Sequence, residues 1–383
     1  MPQANPRGSG IRDPERRSVS RRDIDIAGRR LAQQQLLIPT LTQPGEVVRR
    51  LGAVQAQDYG GAKWAVGMRT RGAVDAAIEQ AVNDGSILRT HVLRPTWHFV
   101  TPADIRWMLA LTAPRIKAAM AYYDRQLDLD AAVFRRSHTA LARALRDGGQ
   151  LTRTELAQVL RRARVDVTGS QRLGHLLMRA ELEGLVCSGA RRGKQGTYAL
   201  LEERVPPAAP LERDAALLEL TGRYFATRGP ATAQDFAWWS GLTLADARRG
   251  VEIAGRRLER EVIGDETYWL ARSTRSPRKR SPTAHLLPNY DEYFIGFKNR
   301  GAIGRRLNST DSVMSRDALT PHVIVVDGQL VGGWKRTLRK TAVVVELRVR
   351  ADLRASEQQA VVVAAHAFGD FLELPVELRR GPS

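Results

Sequence analysis

Between Leu151 and Leu200 the apolar residues recur first at helical spacing and then at strand spacing. Leu156, Val159 and Leu160 share one face of a first helix, and Leu173, Leu176, Leu177, Ala180, Leu182 and Leu185 follow at three-and-four spacing in a second. Gly184 and Gly189 mark the exit. Two strand-like pieces, Leu185–Ser188 and Thr197–Leu201, enclose a loop holding Arg191, Arg192 and Lys194. Helix, turn, helix and basic hairpin together read as a winged helix. In such a unit the second helix suits the major groove of DNA and the wing suits phosphate.

That geometry gives a use to the charge. The 383 residues carry a formal net charge of +19, with a pI of about 10.9, a balance that points to nucleic acid or another polyanion. Arginine greatly outnumbers lysine, which reads either as guanidinium recognition of phosphate or as the codon bias of a GC-rich genome. The length implies two to four structural units, and 43% hydrophobic residues are enough for packed cores. The single cysteine, Cys187, excludes an internal disulfide or a thiolate cluster and reads as a small core residue. No apolar run reaches membrane-spanning length and no signal core opens the chain. The expected setting is the cytoplasm, at the nucleoid.

Residues 1–22 read as a disordered basic arm. Residues 23–125 read as a first winged-helix-like unit with a connecting helix. A helix runs from Ile24 to before Pro39, another starts at Pro44, and Trp64, Val66 and Met68 alternate as a strand after a Gly60-Gly61 turn. Val74–Val82 follows as a short helix, with Ile87–Thr90 and Trp97–Val100 as a hairpin. Thr101-Pro102 starts a long helix that Pro114 should kink or restart. Residues 126–204 form the second unit. After the Val205–Pro210 linker, residues 205–273 form a third, closing on a hairpin around Gly264-Asp265. A basic connector over Ser273–Pro282 leads into a domain spanning 274–383, with strands at His322–Val326, Leu330–Arg336 and Thr341–Arg348 and a helix at Ser356–Phe371. The expected class is α+β: about three tandem winged-helix units and a small C-terminal α+β domain.

Three groups of residues carry candidate chemistry. Gln55 and Gln57, one residue apart, project to one face of an extended backbone, where two carboxamides orient a water or a base edge; the alternative is a polar turn. His91 and His98 flank Trp97 on the hairpin, as proton-transfer groups beside a stacking ring or as members of a packed strand pair. Asp291 and Glu292 are adjacent, and either polarise a water or bridge to nearby arginines. Phosphate-binding loops, zinc-protease and zinc-deaminase motifs and dinucleotide fingerprints are absent from the sequence, so neither a metal nor another cofactor is expected.

The segments LGAVQAQDYGGAKWAVGMRTRG, RPTWHFVTPADIRWMLALTAPR, LLPNYDEYFIGFKNR and VVDGQLVGGWKRTLRK resemble the winged-helix DNA-binding proteins that include the AlkZ- and YcaQ-type bacterial DNA glycosylases. The likeness extends from about Ile24 to the C-terminal helix. It implies a C-shaped arrangement of three winged helices around double-stranded DNA. It also implies excision of bulky N-alkylated purines, including crosslinked guanines, in base-excision repair or self-resistance. The family's catalytic motif is Gln-x-Gln, or Gln-x-Asp in the YcaQ branch, and Gln55-Ala56-Gln57 matches the first form. The residues themselves add His98 and Asp291 as supporting groups. They also add Arg94, Arg191, Arg192, Lys194, Lys335 and Arg336 as phosphate contacts. No lysine stands out near the glutamine motif for a Schiff base, so the expected enzyme is a monofunctional hydrolase; it is also expected to be a monomer without an obligate protein partner. The alternative is a non-catalytic winged-helix regulator or nucleoid protein.

Overall fold

The computed structural model describes residues 21–169, 171–272, 282–307 and 322–381. The expected basic arm and the Ser273–Pro282 connector lie outside the described residues, apart from Arg21, Arg22 and Pro282.

After α1 (Arg21–Gln33) come α2 (Pro44–Leu51), β1 (Val54–Gln55), α3 (Tyr59–Gly67), α4 (Asp75–Asn83) and the hairpin β2 (Leu88–His91) and β3 (Trp97–Val100), in the sheet order β1-β3-β2. The long α5 (Pro102–Gln126) leads to α6 (Ala131–Leu145), β4 (Leu151–Thr152), α7 (Arg153–Arg162), α8 (Arg172–Leu182), β5 (Val186–Ser188) and β6 (Thr197–Leu200), in the order β4-β6-β5. Past the short α9 (Leu201–Arg204) follow α10 (Arg213–Arg228), α11 (Ala233–Ser240), α12 (Leu244–Ala254) and the hairpin β7 (Leu258–Ile263) and β8 (Glu266–Ala271). Here a single bridge, Ala231 to Trp269, takes the place of the first strand. Helix, strand, helix, helix, strand, strand, with the first strand laid on the last, therefore occurs three times. The remainder is β9 (Ala284–Leu287), α13 (Glu292–Ile295), β10 (His322–Val326), β11 (Gln329–Leu338), β12 (Val343–Val349), α14 (Ala355–Leu372) and β13 (Val376–Arg380). Its sheet runs β13-β12-β11-β10-β9, and β13 pairs parallel to β12 because α14 crosses over between them.

Local chemistry starts these helices. Thr152 with Glu155, Thr232 with Asp235 and Thr243 with Asp246 form reciprocal capping boxes on α7, α11 and α12, each cap contributing about 1 kcal/mol. Asp58 caps α3 by accepting the Gly61 N–H at 3.1 Å. That cap corrects the expected strand at Trp64–Met68. Trp64, Ala65 and Val66 are all buried, because α3 is enclosed by its own unit on one side and by the C-terminal sheet on the other. A helix buried on all sides shows no helical period, and the apparent alternation was accidental. Trp64 Nε1–H donates to the Leu286 carbonyl at 2.7 Å, tying α3 to β9. Pro114 does not restart α5, which is continuous across it. The bond lost to its missing N–H is offset by packing of Ala113 and Ile116 on Met178 and Leu182 of α8.

The first pass through the repeated order lies centrally. One core joins Leu88 and Val100 of its sheet to α5 and to the third pass, while a second joins α2, α3 and α4 to the C-terminal sheet and α14. The second pass keeps its own core. Gln55 is thus held by elements from both halves of the chain.

Candidate active site

Gln55 lies on β1 opposite His98 of β3, and the Ala56 N–H continues the ladder to the Trp97 carbonyl at 2.7 Å. This extended backbone sends Ala56 into the core and leaves the two glutamines against one segment, Arg94–Trp97. Gln55 is buried, and its Oε1 accepts from Arg94 Nη2 at 2.7 Å. Gln57 is exposed, and its Oε1 accepts the Trp97 N–H at 3.4 Å. Each amide oxygen is therefore fixed by one donor and keeps a second lone pair.

Sequence reasoning missed what supports this strand. The Gln55 N–H donates to Glu292 Oε1 at 2.8 Å. Glu292 is fully buried, and its Oε2 accepts from Arg228 Nη2 at 2.6 Å and from Trp239 Nε1 at 2.8 Å. Arg228 in turn donates to the Leu51 carbonyl at 2.8 Å. Contacts spanning 237 positions leave no local signal in a single sequence. Asp291, expected as a supporting catalytic group, is placed elsewhere. It too is fully buried, both its oxygens take Arg69 at 2.8 Å in a bidentate pair, and Oδ1 also accepts the Tyr293 N–H at 2.8 Å. Of the two readings of this acidic pair, bridging to arginine is the one that holds.

The β2–β3 loop that carries Arg94 is rigidly held. Leu93 adopts φ 63, and its N–H donates to Thr112 Oγ1 at 3.2 Å. Gly241, at φ 69, packs on the Leu93 carbonyl so closely that any side chain there would collide with it. Arg94 is half-buried; burial pushes its guanidinium down to about 10, with Glu292 opposing and Arg228 adding. His98 is fully buried, donates from Nδ1 to the Thr96 carbonyl at 2.9 Å, and has an unpartnered Nε2. Burial, then the Arg94 guanidinium, hold His98 well below the ordinary histidine range, so its ring is neutral. His91 is paired with Glu181 and packs against Trp97 with the rings tilted by 43°.

The six expected phosphate contacts divide. Lys194 and Lys335 are exposed, as is Arg192, which pairs with Glu155 at 2.8 Å. The other three are half-buried and, like Arg192, have protein partners. Arg94 holds Gln55, Arg191 pairs with Glu79 at 2.9 Å, and Arg336 pairs with Asp58 at 2.8 Å. Cys187 is buried, which pushes its thiol up to about 12 and makes it inert.

Beside Arg336, burial and then that guanidinium push His322 down to about 4, and its Nδ1 accepts the Asn289 N–H at 2.9 Å. An unfolded histidine takes up its proton near 6.5. Between these values the unfolded chain binds more protons, so stability is present above about pH 6.5 and is lost as pH falls toward about 4, by on the order of 3 kcal/mol. Urea midpoints are expected to drop over that window, and the drop to shrink in His322→Asn. An equal slope in the variant would remove His322 as its source.

Among the described residues no helix is long and apolar enough to cross a membrane. The sequence model of the "DNA glycosylase AlkZ-like" family matches residues 48–371. The interstrand DNA cross-link repair glycosylase of Streptomyces sahachiroi is 27% identical over 330 residues, covering 79% of this chain and 85% of the relative. The solved structure of the S. sahachiroi DNA glycosylase AlkZ superposes with a TM-score of 0.72 at 22% identity, covering 93% of this chain and 98% of that one, a likeness of fold. The mixed helix-and-sheet architecture and the sequence agree: the chain belongs to the AlkZ-like family of DNA glycosylases.

Proposed function

We propose that this glycosylase hydrolyses the N-glycosidic bond of N-alkylated, cationic purines in double-stranded DNA, with Gln55 and Gln57 positioning the water. The carrying observation is the pair of amide oxygens fixed against Arg94–Trp97, one buried and one exposed. Alkylation at N7 makes the base a cation, so it leaves with the C1′–N9 electron pair and becomes neutral. Water then adds to the oxocarbenium-like sugar, and the resulting oxonium sheds its proton to solvent. A departing base of this kind needs no strong general base. Neutral carboxamides orient the water, and their lone pairs stabilise the developing positive charge on the sugar. A neutral, buried His98 suits the same logic, because it adds no cation beside that sugar.

The three repeated units, at 23–125, 126–204 and 205–273, then act as winged helices on the duplex, with the 274–383 domain behind the first. Lys194, Arg192 and Lys335 contact phosphate, while Arg94 positions Gln55. The protein works as a monomer at the nucleoid, and crosslinked guanines fall within its range. The test is release of 7-methylguanine from a duplex, scored as abasic sites. Single-turnover rates are expected to fall about a hundredfold in Gln55→Ala and in Gln57→Ala, with DNA affinity unchanged. Wild-type rates in both variants would defeat the assignment.

A further inference from the structure

Between the β2–β3 hairpin and the β5–β6 hairpin lies a cleft of about 190 Å³. That is less than the roughly 300 Å³ at which pockets begin to hold drug-sized ligands, and it suits a single ring system. Three aromatic residues, Tyr59, Trp97 and Tyr198, and three arginines, Arg89, Arg153 and Arg191, line it. Arg89 lies 4.3 Å over the Trp97 ring and Arg191 lies 4.3 Å over Tyr59. An entering ring therefore meets guanidinium planes as well as aromatic groups, and nucleobases stack on both.

The charges decide what enters. The acidic wall residue, Glu181, is taken by His91 and by Trp97 Nε1. Arg191 is taken by Glu79. Arg89 and Arg153 have no ion pair among the described residues, and Arg153 is exposed at the rim. A cationic purine is repelled here, whereas a neutral base with its phosphodiester is attracted. The cleft also adjoins the hydrolytic site. The Trp97 N–H is bonded to Gln57, and Tyr59 is two residues beyond it.

We propose that this cleft holds one ordinary nucleotide of the bound DNA, displaced from the stack next to or opposite the lesion, with its base on the Arg89 and Arg191 planes and its phosphate on Arg153. The proposal rests on the DNA glycosylase reading given above. Holding a neighbouring base aside opens the stack around the damaged purine without requiring the purine itself to be flipped out.

The experiment scans a photoreactive 5-iodouracil through positions flanking and opposite a 7-methylguanine. Crosslinked peptides are mapped by mass spectrometry, and base release is measured on the same duplexes. One position is expected to crosslink to Tyr59, Trp97 or Tyr198. Gly196 lines the cleft outside the left-handed region, and a side chain there meets nothing within 4 Å. Gly196→Leu therefore adds bulk at the cleft wall without displacing a neighbour and is expected to lower that crosslink at least tenfold. Arg153→Ala, a surface change, is expected to lower it severalfold. Base release without a crosslink to these rings, or a crosslink indifferent to both variants, overturns the cleft assignment and leaves the glycosylase reading intact. A cleft crosslink without base release overturns the glycosylase reading alone.

Discussion

Glu292→Ala is expected to lose about 3–5 kcal/mol of stability and, in the molecules that remain folded, most of the base-release rate. The carboxylate is fully buried, and three donors converge on it: the Gln55 N–H, Arg228 Nη2 and Trp239 Nε1. Arg228 is equally buried and lies 4.3 Å over the Trp239 ring. Truncating Glu292 leaves that guanidinium as an uncompensated buried charge, the costly half of a broken internal ion pair. It also frees the backbone of β1 at the residue whose carboxamide is proposed to aim the water, and a displacement of about 1 Å there is enough for a hundredfold rate loss. Glu292→Gln keeps the volume but presents an NH2 to one of the three donors. It should destabilise less and still slow the reaction about tenfold. Gln55→Ala makes the contrast, since it leaves the Glu292–Arg228 pair in place and should cost rate with little stability. Urea unfolding and single-turnover base release, measured on all three, separate the cases. Wild-type stability in Glu292→Ala would show that the strut is not what holds β1.

What could be read from the chain followed the range of the interaction. Leu156, Val159 and Leu160 announce α7, Thr101-Pro102 announces α5, and the Trp97–Val100 strand was placed to the residue, because helical periods, caps, prolines and hairpin periods act within a few positions. Gln55 and Gln57 were legible as a pair because extended backbone puts alternate residues on one side. Their surroundings were not. Arg94 reaches Gln55 across 39 positions and Glu292 across 237, and neither residue differs by type from the arginines and carboxylates around it. The strands β9 and β13 went unrecognised for a related reason. β9 is four residues long, and β13 is Val376-Glu-Leu-Arg-Arg380, mostly exposed at the sheet edge, so neither carries a core period. In α3 the failure was the reverse, with burial on every side erasing the pattern that would have identified a helix.

The neighbouring carboxylate supplies the second large effect and a check on the first. Asp291→Ala is also expected to cost about 3–5 kcal/mol, because Arg69, buried to 1% exposure, loses a bidentate partner. Asp291 Oδ1 also caps α13 by accepting the Tyr293 N–H at 2.8 Å, but Glu292 keeps its own three donors without that cap. Arg69 otherwise binds the Ala65 carbonyl within α3 and Gln34 Oε1, so the pair joins α1 and α3 to the Asp291 turn and makes no contact with Gln55. Folded Asp291→Ala protein, assayed at low temperature, should release base within about twofold of wild type. An Asp291→Ala, Arg69→Met double variant should recover much of the stability, since the cost lies in the stranded charge rather than in the missing bridge. A rate defect in Asp291→Ala at undiminished stability would return this carboxylate to the chemistry. Absent that defect, two acidic residues joined by one peptide bond differ in function because Glu292 accepts the Gln55 N–H as well as its arginine, whereas Asp291 meets Arg69 and the Tyr293 N–H.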